Sequence, residues 1–190
     1  MTVRIGLVLG AGGVVGHAWH AGVLRALQAE SGWDPRDADV IVGTSAGSVV
    51  GAALRAEIDA ADIGPRRDGP AFASGPRSGL PRMAAPGMFV RQVMRPWDAR
   101  VGLLSAALLP EGRVSTEVVA AGVRARFGDD WPPRALFVNA VRLDTGQRVT
   151  FGRDGAPRTD VATAVAASIA IPGFFAPVTI DGVRYVDGGA

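Results

Sequence analysis

Apolar residues in this chain fall in short runs punctuated by glycine. Val3 to Leu9 is the first such run and predicts a buried β-strand. Glycines crowd the next stretch, Gly10 to Gly16, which predicts a loop. His17 to Glu30 then carries Val23, Leu24 and Leu27 at helical spacing. Asp39 to Val42 predicts a second strand, and it runs directly into Gly43-Thr44-Ser45-Ala46-Gly47. Ser48 to Ile58 reads as a helix. Strand, glycine loop, helix, strand, glycine turn, helix is the alternation of an α/β layer. It predicts a mainly parallel central sheet flanked by helices.

The pattern breaks between Gly64 and Arg100. This stretch holds six of the 13 prolines, five glycines and seven arginines, with Asp68 and Asp98 its only acids. Such density of proline argues against regular structure. Residues 64–112 therefore read as an insertion in a single domain, either a surface excursion or a lid. Its arginines alternate with Leu80, Met83, Met88, Phe89, Val90 and Met94, a mixture that suits peripheral contact with an anionic lipid surface. Beyond it, Ser115 is positioned to cap a helix reaching Phe127. Ala135 to Leu143 and Arg148 to Phe151 predict a strand pair, and Thr159 to Ala170 a helix of small residues. Val178 to Ile180 and Val183 to Val186 flank Asp181-Gly182, a hairpin signal.

Composition narrows the function. Of 190 residues, 48% are hydrophobic and 20% charged, enough apolar material for one globular core. All 20 basic residues are arginine, set against 18 acids, and the net charge of +2 predicts no nucleic-acid partner. Cysteine is absent, which excludes disulfides, thiolate metal sites and a cysteine nucleophile. The N-terminal run breaks into glycines after Leu9 and reads as a strand, not a signal peptide. The uncharged stretch Val161 to Ile180 is interrupted by Pro172, Gly173 and Pro177, so it reads as a buried helix and a loop, not a bilayer span. A cytoplasmic protein, peripheral at most to a membrane, is the expectation.

Gly43 to Gly47 matches G-x-S-x-G between a strand and a helix, the context of a nucleophile elbow. Gly43 and Gly47 let neighbouring elements approach, and Ser45 is the candidate nucleophile. A serine needs a base. The two histidines, His17 and His20, both precede Ser45, so the order serine, acid, histidine of α/β-hydrolases is impossible. Carboxylates remain: Asp144, Asp154, Asp181 and Asp187 all stand at glycine turns, and spacing does not choose among them. The glycine loop offers clustered amides at a helix start, suited to an oxyanion or to a phosphate. The second possibility makes a nucleotide-binding module the alternative to an enzyme.

Four blocks in order resemble the patatin-like phospholipases: Gly10 to Gly16, Gly43 to Gly47, Ala167 to Val178 (Ala-Ser-Ile-Ala-Ile-Pro-Gly-Phe-Phe-Ala-Pro-Val), and Asp187-Gly188-Gly189. The resemblance implies a patatin-like three-layer α/β fold. It implies a serine acyl hydrolase on lipid carboxylic esters, with Ser45 as nucleophile, Asp187 as base and an oxyanion hole from the backbone of Gly12, Gly13 and Val14. No metal or other cofactor is implied. Val15 stands where the family usually carries a basic residue. The chain stops three residues after Asp187, as expected of a C-terminally truncated domain, and an inactive lipid-binding or membrane-surface module is a further alternative.

Overall fold

The computed structural model describes residues 4–64 and 112–189. The Pro-, Gly- and Arg-rich insertion with its expected membrane contact lies almost wholly outside them. A six-stranded mixed sheet organises the rest. Its parallel part is β1 (Gly6–Leu9), β2 (Val40–Thr44) and β3 (Ala135–Arg142), with Leu7 opposite Ile41 and Ile41 opposite Leu136. Three antiparallel strands complete it: β4 (Arg148–Phe151) pairs with β3, and β5 (Val178–Ile180) forms a hairpin with β6 (Val183–Asp187). Asp181 and Gly182 both take positive φ in that hairpin, the geometry of a tight two-residue turn.

Four α-helices accompany these strands among the described residues: α1 (Gly13–Ser31), α2 (Ala46–Arg55), α3 (Glu117–Phe127) and α4 (Val161–Ser168). The α2 helix lies on the sheet face formed by Leu9, Ile41 and Leu136. A Cβ at Gly51 would come within 2.9 Å of Ile41 and 3.2 Å of Leu136, so glycine brings the helix down onto the strands. The α4 helix lies beside α2 over β3 and β6, and α3 packs against α4. Leu54, Leu136, Phe151, Val161, Val165 and Tyr185 close this core. At the end of α2, the buried Arg55 guanidinium donates to the carbonyls of Arg36, Ala38 and Ala135, tying the helix to the segments entering β2 and β3.

Two expectations change here. The run Val3 to Leu9 was expected to be buried, yet Leu9 is 4% exposed and Val8 77%. An apolar run marks a strand but does not specify its neighbours, and β1 pairs with β2 alone among the described strands. The glycine loop is also shorter than expected. Gly13 to Gly16 form the first turn of α1, with Gly12 at its N-cap and the Gly16 N–H donating to the Gly12 carbonyl at 2.8 Å. A Cβ on Gly12 would lie 2.6 Å from the Gly16 Cα, so Gly12 allows the tight entry into the helix.

The strand order creates one junction that positions the site. β2 and β4 flank β3 on opposite sides, since both pair with Val138 and Asn139. β4 and β6 do so too, since both pair with Ala140 and Val141. β2 and β6 therefore share one side of β3 and meet head to head. Thr44 ends opposite Asn139, and Asp187 ends opposite Ala140.

Candidate active site

Ser45 follows β2 at that junction, with φ 53° and ψ −122°. A non-glycine residue in this region carries backbone strain of about 1–3 kcal/mol and persists where its surroundings over-determine it. Those surroundings are visible. The Ser48 amide and hydroxyl donate to the Ser45 carbonyl at 2.9 and 2.7 Å. The Ser45 N–H donates to the Ser168 hydroxyl at 2.8 Å. A Cβ at Gly43 would fall 2.5 Å from the Ser48 Cα, and one at Gly47 would fall 2.1 Å from the Leu9 carbonyl oxygen. Both glycines of the elbow are thus required for close approach, and Ser45 is left 4% exposed.

Asp187 ends β6 and is 5% exposed. Its N–H donates to the Ala170 carbonyl at 2.9 Å. Its Oδ1 accepts the Gly189 N–H at 2.7 Å, while Oδ2 is buried without a hydrogen-bond partner of good geometry. Burial pushes the Asp187 carboxyl above the usual carboxylate range, against the opposing pull of the Ser45 hydroxyl and the Gly189 amide. The Ser45 hydroxyl is therefore near enough to favour the carboxylate, but Oδ2 is not closed by an aligned bond.

The other aspartates at glycine turns are engaged or exposed. Asp144 forms an ion pair with Arg142 at 2.8 Å, which holds its carboxyl below the usual range. Asp154 and Asp181 lie on the surface. Spacing could not separate these from Asp187; burial and strand pairing do.

The third motif meets the first two. The Gly10 carbonyl accepts the Gly47 N–H at 3.2 Å and faces the His20 Nε2 at 2.9 Å, so the glycine loop is tied to the elbow. A Cβ on Gly189 would lie 2.9 Å from the Ala11 Cβ, which brings the terminal Asp-Gly-Gly turn against the same loop. The amides of Gly13, Val14 and Val15 occupy the first turn of α1, where no intrahelical acceptor exists. No side chain caps this end and its first turn holds no acid, so the positive pole of the helix is left for an anion. Gly12, Gly13 and Val14 are solvent-exposed.

His20 is buried against Gly10, which gives it an anchoring contact in place of a base's position. Burial, and then the neighbouring His20, hold the His17 imidazole below its usual pKa. Four polar residues at the junction had no role assigned from the sequence: Thr44 and Ser168, which lie within the quoted motif blocks, and Asn139 and Thr150, which lie in none. Thr44, Asn139 and Thr150 lie in register across three strands. The Thr150 hydroxyl donates to Asn139 Oδ1 at 2.7 Å, and Asn139 Nδ2 donates to Thr44 Oγ1 at 3.1 Å. Ser168 falls inside the block Ala167 to Val178, but nothing in the sequence says what it touches.

A strained serine after a parallel strand, a buried aspartate beside it and an uncapped glycine-rich helix start thus come together at one end of the sheet. The chain belongs to the patatin-like phospholipase family, whose model matches residues 7–190. Among solved structures it is similar to VipD from Legionella pneumophila, with TM-score 0.55 and 16% identity over 98% of this chain and 46% of that one. It is also similar to the type III effector protein ExoU, with TM-score 0.49 and 22% identity over 90% of this chain and 40% of that one. The chain spans less than half the length of either. No curated protein shows a significant sequence match. Among the described residues no helix is long and apolar enough to cross a membrane. The uncharged stretch from Val161 is divided into α4, a loop and β5.

Proposed function

We propose that this chain is a serine acyl hydrolase acting on lipid carboxylic esters, phospholipid or lysophospholipid, through a Ser45–Asp187 dyad. The observation that carries the reading is the placing of a strained, buried serine beside a buried aspartate, at strand ends that meet along β3, with the serine hydroxyl acting on that carboxyl. Family membership supports lipid ester hydrolysis in general terms.

In the first half-reaction Asp187 Oδ2 takes the Ser45 hydroxyl proton as Oγ attacks the ester carbonyl carbon. The carbonyl oxygen gains the negative charge, and the amides of Gly12, Gly13 and Val14 at the start of α1 stabilise it. The carbon–oxygen bond to the leaving alcohol breaks, the alcohol receives the proton from Asp187, and an acyl-Ser45 remains. Water then attacks the acyl carbon, giving its proton to Asp187. The fatty acid leaves and Ser45 regains its hydrogen. An aspartate of ordinary pKa is a weak base, and the upward displacement from burial improves it.

The test is labelling with a fluorophosphonate probe, alongside hydrolysis of a lysophospholipid, for the wild type, Ser45→Ala and Asp187→Asn. Labelling and hydrolysis by the wild type, both lost in each variant, is the expected result. Undiminished hydrolysis by Ser45→Ala overturns the assignment. A folded wild type that neither labels nor hydrolyses indicates an inactive lipid-binding module.

A further inference from the structure

The end of α4 touches both members of the proposed dyad. Ser168, its last residue, is fully buried, and its hydroxyl accepts the Ser45 N–H at 2.8 Å across 123 residues of sequence. Two residues on, the Ala170 carbonyl accepts the Asp187 N–H at 2.9 Å. One short segment of chain thus holds the main chain of Ser45 through a side chain and that of Asp187 through a carbonyl.

The same hydroxyl also donates, to the Asn139 carbonyl at 2.7 Å. That carbonyl lies where β2 has ended and β6 has not yet begun along the edge of β3. A break in the ladder there leaves a main-chain acceptor to be satisfied by something other than a strand. Asn139 is itself fixed by Thr44 and Thr150. A Cβ on Gly188 would lie 2.4 Å from the Asn139 oxygen, so the Asp-Gly-Gly turn is packed against the same point. Ser168 uses its one proton and a lone pair in this exchange, which only a hydroxyl of this size does well.

The contacts that restrain Ser45 differ in kind. Those from Ser48 are local to the first turn of α2 and travel with it. The contact from Ser168 instead fixes the Ser45 main chain relative to β3 and α4. We propose that Ser168 is a positioning residue for the nucleophile. Its hydroxyl, braced on Asn139, sets the strained Ser45 backbone at the distance from Asp187 that proton transfer requires. The proposal rests on the reading of Ser45 as nucleophile. It also assigns the Ser45 amide to Ser168, leaving oxyanion stabilisation to other donors.

The experiment uses the whole 190-residue chain with p-nitrophenyl butyrate as substrate and a fluorophosphonate probe. Ser168→Ala, Ser168→Thr and Ser45→Ala are compared with Val165→Ala, a cavity in the same buried helix that leaves the Ser45 contact intact. Small misplacements of a reacting group cost up to about 100-fold in rate, so Ser168→Ala is expected to lower kcat about 10- to 100-fold. KM should hardly change, and the rate of probe labelling should fall in parallel. Ser168→Thr should recover much of the loss, and Val165→Ala should lower Tm while keeping kcat. If Ser168→Ala does not fold, Ser168→Cys, which keeps the volume and weakens both bonds, is held to the same outcomes. Wild-type kcat in Ser168→Ala, with Ser45→Ala inactive, overturns the positioning role alone. An equal loss of kcat in Val165→Ala also overturns it. An active Ser45→Ala overturns the underlying reading instead.

Discussion

Asp187 gives one carboxylate oxygen to the Gly189 amide, 2.7 Å away, and keeps the other buried beside the Ser45 hydroxyl, with no aligned hydrogen bond among the described residues. A carboxyl so arranged holds its proton more tightly than it would in the unfolded chain. Its pKa is displaced upward from the ordinary 3.8, chiefly by burial. Asp187 therefore favours folding below the ordinary carboxylate pKa, and that contribution is lost as pH rises through the raised value. At neutral pH the buried charge opposes folding. Asp187→Asn should accordingly melt higher than the wild type at pH 7, with the difference shrinking as the solution is acidified through the carboxylate range. Thermal unfolding of both proteins across that range checks this. A constant difference, or one that grows on acidification, contradicts it. The acid limb of kcat/KM for the wild type should likewise lie above the ordinary carboxylate range.

The strained backbone at Ser45 separates function from stability. Both Ser45→Ala and Ser45→Gly remove the hydroxyl, and both should be inactive. Glycine accepts φ 53° and ψ −122° without a Cβ penalty, whereas alanine keeps the strain. Ser45→Gly should therefore be the more stable of the two by about 1 kcal/mol, after allowing for the entropy glycine adds to the unfolded state. Urea denaturation midpoints at unchanged slope provide the measurement. Equal stabilities would show that the elbow is not strained.

Glycines in this chain divide by what a methyl group would meet. At Gly47 it would lie 2.1 Å from the Leu9 carbonyl oxygen, forcing α2 away from β1. Gly47→Ala should cost about 1–3 kcal/mol or more through overpacking and should abolish probe labelling. At Gly22, inside α1, a methyl group meets nothing within 4 Å. Gly22→Ala should instead stabilise by about 0.5–1 kcal/mol through helix propensity. Chemical denaturation of the two variants gives opposite signs if the packing is as described.

Much of this arrangement was legible locally. The strand before Ser45, the helix after it and the Asp181-Gly182 hairpin follow from short-range preferences of apolar and glycine residues. Boundaries were less legible. The glycines from Gly13 to Gly16 read as loop because helix propensity disfavours them, but the Gly16 N–H bond to the Gly12 carbonyl and the close backbone approach at Gly12 make them the first turn of α1. On α1, Val23, Leu24 and Leu27 share helical spacing, yet only Leu24 is buried. Periodicity locates an apolar face without naming what covers it.

The sequence by itself determined that a serine sits in a strand–turn–helix elbow, that no histidine follows it, and that four aspartates at glycine turns are candidates for a base. Spacing left four aspartates at glycine turns open, and only the tertiary structure shows which of them lies buried beside Ser45, namely Asp187. It does so by running β2 and β6 head to head along one side of β3, opposite Asn139 and Ala140. Elbows and turns are encoded by a few neighbouring residues. The meeting of Ser45, Ser168 and Asp187 depends on strand order and register, which arise from pairings over more than a hundred residues and leave no periodic trace in the chain.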